Sequence, residues 1–128
     1  MNVKEINSRH NHDFQAFLRI LKGQGVKKQG VAFFSGPKQV REILTEFPQH
    51  CEGLILSTKH KMPEGALSRN LLSYSLSSEL FREIDAFGTN HPVLIVRVPP
   101  FPPWDAGAYF KGCTLLIPFQ EPSNVGAV

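Results

Sequence analysis

The sequence predicts a layered α/β domain, a three-layer α/β/α sandwich built on a largely parallel sheet. Three observations carry this. Apolar runs of strand length recur at residues 31–34, 53–56 and 92–98. Among them lie segments whose apolar residues repeat at i, i+3, i+4 and i+7, the signature of a helix with one buried face. The resulting order is helix, strand, helix, strand, strand, helix, strand. That order is characteristic of an open sheet flanked by helices.

The first helix is expected to start at Asn11, a good N-cap with Asp13 in the first turn. Phe14, Phe17, Leu18 and Leu21 form its buried face, and Gly23 and Gly25 end it. Val31-Ala32-Phe33-Phe34 reads as a buried strand. Ser35-Gly36-Pro37 turns the chain, with Pro37 suited to the first position of a second helix. Val40, Ile43, Leu44 and Phe47 give that helix its apolar face, and Pro48 stops it. Gly53 to Leu56 is the next strand, followed by a basic loop from Lys59 to Gly65. In residues 71–76, Leu72, Tyr74 and Leu76 alternate with serines, which predicts a strand with one polar face. Ser77 or Ser78 caps a third helix carrying Leu80, Phe81, Ile84 and Phe87, closed by Gly88. Pro92 to Val98 is the last strand of the unit.

A chain of 128 residues has room for one domain of about 100 residues and a tail. Its 41% hydrophobic and 20% charged residues are ordinary for a folded globular protein and argue against disorder. The net charge of +3 permits a nucleic-acid partner without demanding one. No apolar run approaches the roughly 20 residues of a membrane span, and the N-terminus has no signal-peptide core. Cys51 and Cys113 are far apart and read as reduced thiols of a cytoplasmic protein. His10, His12 and Cys51 lack the spaced partners of a zinc site, so no metal is expected. Ser35 lacks the glycine two residues before it that a nucleophile elbow has, which argues against a hydrolase.

The composition changes at Pro99-Pro100-Phe101-Pro102-Pro103-Trp104, which holds four of the ten prolines. It reads as a stiff extended linker. Domain boundaries are therefore expected at 1–98, 99–113 and 114–128. The last segment, TLLIPFQEPSNVGAV, is an apolar strand delivering a polar loop, with no helix after it. The chain accordingly reads as the front part of a longer protein, cut just inside a second domain.

Glu121-Pro122-Ser123-Asn124-Val125-Gly126-Ala127 resembles the first motif of the SpoU (TrmH-like) RNA ribose methyltransferases of the knotted SPOUT superfamily. That motif is an apolar strand followed by Asp-Pro-Gly-Asn-x-Gly. Pro122, Asn124 and Gly126 match in place, while Glu121 and Ser123 replace Asp and Gly. The earlier part of the chain resembles the substrate-binding domain of the same proteins, itself similar to the kink-turn-binding ribosomal proteins. Ile6, Ser8 and Asn11 match its opening pattern. Phe33, Phe34, Gly36, Val40 and Leu44 fall on its next strand and helix, with Ser35 where Glu is common.

The resemblance implies a parent enzyme that moves a methyl group from S-adenosylmethionine to a ribose 2′-hydroxyl of tRNA or ribosomal RNA, and that often dimerises. The cofactor-binding motifs of the family are absent from this sequence. The chain alone is thus expected to bind no S-adenosylmethionine and to be inactive. Asn124 is the one catalytic-motif residue carried over; it could orient RNA or a catalytic arginine, or simply shape a turn. Candidate RNA-phosphate contacts are Arg9, Lys22, Lys27, Lys28, Lys59 and Lys61, each of which also suits a solvated surface. Asn11 stands with them through the opening pattern, and equally as a helix cap. The alternative to an enzyme's substrate-recognition domain is a non-catalytic module of the same fold that binds structured RNA or a protein.

Overall fold

The computed structural model describes residues 2–66 and 71–99. The chain folds as a mixed α/β unit on one five-stranded sheet. The strands are β1 (Val3–Ile6), β2 (Val31–Phe34), β3 (Cys51–Ser57), β4 (Leu72–Leu76) and β5 (Val93–Arg97). The helices are α1 (His12–Arg19), α2 (Pro37–Glu46) and α3 (Ser78–Ile84). Across the sheet the order is β1-β4-β3-β5-β2.

The sheet is less parallel than the element order implied. β1 with β4 and β3 with β4 pair in parallel, whereas β5 runs antiparallel to both β3 and β2. β2 therefore points the same way as β1, β3 and β4, and β5 alone is reversed. The seven residues of α3 carry the chain only part of the way down the sheet. Residues 85–92 then lead into a strand that starts at the upper end. Here "upper" denotes the end where β1–β4 finish.

Helices cover both faces. On one face Phe14 and Phe17 from α1 and Leu80, Phe81 and Ile84 from α3 pack with Ile6, Ile55, Leu76, Val93 and Ile95. On the other, Val40 and Leu44 from α2 pack with Leu54, Leu56, Leu94 and Val96. Fully burying a large apolar side chain contributes about 1.5–3 kcal/mol, so these two clusters hold the sheet between them.

Caps fall where the sequence places them. Asn11 Oδ1 accepts from the N–H groups of Asp13 (2.9 Å) and Phe14 (3.2 Å), Pro37 opens α2, and Ser77 Oγ accepts from the Leu80 N–H. Other expectations are corrected. β1 has no counterpart among the expected strands, because only Ile6 of its four residues is buried and an edge strand needs little more than backbone pairing. The segment after α1 does not stop at Gly23 or Gly25. Wider helical turns continue from Ile20 to Gln29, interrupted by Gly23 at φ 92°, and Gly30 at φ 66° closes them. Gly25 serves close approach instead, since a Cβ there would sit 2.6 Å from the Val31 carbonyl oxygen. The serine face of β4 is not a solvent face either. Ser73 lies beside Leu54 of β3, is 1% exposed, and its hydroxyl has no hydrogen-bond partner among the described residues. Phe47 and Phe87, which spacing assigns to helical faces, are 51% and 82% exposed. α2 ends at Glu46 and α3 at Ile84, and past a helix end the i+3 spacing no longer returns a side chain to the core.

Candidate nucleic-acid interface

Because β1–β4 all point one way, the segments that follow them gather at the upper end of the sheet. They are joined by the residues that lead into β5. These include Asn7–Asn11, Ser35–Gly36, the loop from Thr58, Ser77 and residues 85–92. The last of these forms the relief of this end. Asp85, Gly88 and Asn90 line one cavity with Ser57, Lys59, His60 and Arg82, about 470 Å³ in volume. Phe87 and Thr89 line a second, of about 380 Å³, with Phe33, Phe34, Ser35 and Gln39. His91 and Pro92 line a third, of about 180 Å³, with Pro37, Arg41, Lys61 and Glu64.

The loop is closed by its own polar groups. Asp85 Oδ1 accepts from the Thr89 N–H (3.1 Å) and hydroxyl (3.2 Å), and Oδ2 from the Asn90 N–H (2.8 Å). Gly88 N–H donates to the Asp85 carbonyl at 3.0 Å. Asn90 itself adopts φ 54°, a left-handed conformation that asparagine tolerates better than most residues. His60 ties the loop to the end of β3. Its Nδ1 accepts the Ser57 backbone N–H at 3.1 Å, so Nε2 carries the proton and donates to Asn90 Oδ1 at 3.2 Å. The imidazole stands edge-on to Phe81, with ring centroids 4.7 Å apart.

The structure divides the candidates read from the sequence. Arg9, Asn11, Lys59 and Lys61 lie at the upper end. Lys22, Lys27 and Lys28 sit on the segment Ile20–Gln29, which feeds the beginning of β2 at the opposite end. Arg9 forms an ion pair with Glu83 of α3, and the Asn11 side-chain oxygen is engaged as a cap. Both polar groups are thus already in use within the chain. Asn124 and the proposed linker from residue 100 onward lie outside the described residues.

Three cations at the upper end escape the sequence reading. Lys38 and Arg41 on α2 and Arg82 on α3 are exposed. Among the described residues, Lys38, Arg41, Lys59, Lys61 and Arg82 have no carboxylate within ion-pair distance, although Glu64 lines the same cavity as Arg41 and Lys61. A signal was available: each helical cation lies off the apolar stripe of its helix, facing solvent. What sequence spacing could not supply was that α2 and α3 bring Arg41 and Arg82 beside the same loop.

The lower end is electrostatically different. Arg97 pairs with Glu52. Tyr74 lines a shallow cavity with Asp13 and Glu52, and its hydroxyl is pushed above the usual 10.0 by burial first and then by those two carboxylates. Phe17 stacks edge-on to Tyr74 at 5.0 Å.

No family profile matches the chain. Over 126 residues it is 36% identical to the ribosomal RNA small subunit methyltransferase G 2 of Syntrophobacter fumaroxidans, covering 98% of this chain and 25% of that protein. The chain thus spans about a quarter of the curated relative it matches. Its fold is similar to the crystal structure of an RNA 2′-O ribose methyltransferase, with a TM-score of 0.66, at 17% identity over 97% of this chain and 49% of the other.

Proposed function

We propose that this chain is the RNA-recognition part of an S-adenosylmethionine-dependent RNA methyltransferase of the SpoU type, acting on a ribose 2′-hydroxyl of tRNA or ribosomal RNA. In this reading residues 1–98 are a three-layer domain akin to the kink-turn-binding ribosomal proteins. Residues 99–113 are a linker, and 114–128 open the methyltransferase domain with Asn124 in its first motif. The observation that carries it is the set of four exposed cations, Arg41, Lys59, Lys61 and Arg82, that line cavities with the loop of residues 85–92 and have no carboxylate within ion-pair distance among the described residues. Exposed cations with no carboxylate partner among the described residues suit the phosphate backbone of RNA. The relative, named as an RNA methyltransferase, and the fold neighbour described in the same terms support the same direction.

The cavity beside His60 does not suit S-adenosylmethionine. In the cavity beside His60, the acid suited by type to ribose hydroxyls is Asp85, and both its oxygens are taken up by Thr89 and Asn90. The chain's part is then to bind and orient RNA, while methyl transfer belongs to the parent protein. A parent that dimerises would present two such surfaces.

Fluorescence anisotropy with a structured RNA, repeated across a salt series, tests the RNA reading. Binding that weakens steadily as salt rises is expected. Absent or salt-indifferent binding overturns it. Calorimetry is expected to find no S-adenosylmethionine binding to the chain. Micromolar binding would overturn the assignment of the cofactor to the parent. One observation favours a second reading, a protein-binding module: Phe47 stands half exposed over a groove with Phe34, Ile43, Val96 and Val98. A protein that binds no RNA but captures a second chain through this groove would support it.

A further inference from the structure

Phe87 is 82% exposed, the most exposed large apolar side chain among the described residues. A lone exposed apolar residue is ordinary on a protein surface. Phe87 differs in how it is held. It stands between Asp85, whose carboxylate takes the Thr89 and Asn90 N–H groups, and Gly88, whose N–H returns to the Asp85 carbonyl. Asn90, three residues on, is fixed by His60. The loop is thus closed around an aromatic ring that faces water. Phe33 and Phe34 line the cavity next to it, giving an apolar floor. Lys59 and Arg82 flank the loop on one side, and Arg41 and Lys61 on the other.

We propose that Phe87 is a stacking platform for one unpaired nucleobase of the bound RNA, with the flanking cations taking the phosphates on either side of that nucleotide. An apolar ring inside a cationic rim matches a nucleotide strand, whose bases offer flat faces and whose backbone is uniformly negative. Lysine is depleted in protein–protein interfaces, whereas Lys59 and Lys61 both flank this loop. A loop whose backbone is already fixed loses little freedom on binding, which favours affinity. This inference rests on the RNA reading above.

The experiment uses the whole chain and a short RNA carrying 2-aminopurine in an unpaired position, with the fully paired duplex as control. Base stacking on the ring is expected to change the 2-aminopurine fluorescence. Phe87→Ala should weaken binding of the unpaired RNA by about tenfold and duplex binding by less than about twofold. Its salt dependence should not change, because every cation that meets a phosphate is still in place. Phe87→Trp should restore both affinity and the fluorescence change, whereas Phe87→Leu, apolar but without a π face, should not. The exposed position predicts an unchanged thermal midpoint, so loss of fold does not confuse the result. If wild type binds RNA with the expected salt dependence but Phe87→Ala matches it, or Phe87→Leu performs as well as Phe87→Trp, the platform is wrong and the RNA reading stands. If wild type binds no RNA at low salt, both fail. If Phe87→Ala instead lowers the mass of the chain by light scattering, Phe87 is a protein contact and the platform is overturned.

Discussion

The two ends of the sheet carry comparable numbers of basic residues, and they use them differently. At the upper end, Arg41, Lys59, Lys61 and Arg82 flank a loop locked by Asp85 and His60, and none has a carboxylate within ion-pair distance among the described residues. At the lower end Lys22 and Lys28 project from widened helical turns interrupted at Gly23. There Arg97 is paired with Glu52, and the tyrosine hydroxyl nearby is held in its neutral form by burial, Asp13 and Glu52. A count of cations does not distinguish these ends. Lys22 and Lys28 also lack a carboxylate within ion-pair distance among the described residues, so what distinguishes the ends is whether the cations gather around a backbone fixed by hydrogen bonds.

The largest effect should come from the upper cations themselves. Replacing Lys38, Lys59, Lys61 and Arg82 together by alanine should lower RNA affinity by on the order of a hundredfold at physiological salt. It should also flatten the salt dependence by about 0.7–0.9 in slope for each phosphate no longer neutralised. Lys22→Ala with Lys28→Ala should change affinity by no more than about twofold. Equal losses from the two sets, measured by anisotropy, would erase the distinction between the ends.

Next in size is Asp85→Ala, which removes an acceptor from two backbone N–H groups and a hydroxyl while taking away a negative charge. Charge alone would predict tighter RNA binding. Loss of the loop geometry predicts the reverse, together with about 1–2 kcal/mol of lost stability in a denaturant titration. Tighter binding in the variant would show that fixing the loop is unimportant.

Arg9→Ala sharpens the comparison from within the upper end. Glu83 already neutralises Arg9, and the pair is solvent-exposed. The substitution should cost about 0.2–1 kcal/mol of stability and leave RNA affinity within about twofold. A tenfold loss of affinity would mean that Arg9 leaves Glu83 for a phosphate when RNA arrives.

The smallest effect concerns Tyr74. Its folded-state pKa lies above the usual 10.0, so the folded chain keeps its proton while the unfolded chain releases it. Unfolding then releases a proton, and stability falls as pH rises from about 10 toward the folded-state value. Tyr74→Phe should remove that part of the alkaline loss, read as a flatter stability curve above pH 10 than wild type. An unchanged curve would mean that the lower end does not hold the proton as described.

Much of this protein is local, and so it is legible in the sequence. Asn11, Pro37 and Ser77 set their helix starts through bonds or ring geometry that span only a few residues. The apolar runs of β2, β3 and β5 announce strands, although β2, expected to be buried, is an edge strand whose four residues are only half-buried. The candidate site is half legible. Lys59 and Lys61 stand out in a basic loop, while Lys38, Arg41 and Arg82 look like ordinary helix-surface residues.

Tertiary structure decided what spacing along the chain cannot encode. The reversal of β5 follows from the path back up the sheet after a short α3, and it places residues 85–92 among the loops that follow β1, β2, β3 and β4. Helix length turned Phe47 and Phe87 out of the core, although their periodicity matched it. The partner of Arg9, Glu83, lies 74 residues further along the chain. Free charge and neutralised charge have the same sequence. Only the positions of distant carboxylates, fixed by packing on the two faces of the sheet, separate one from the other.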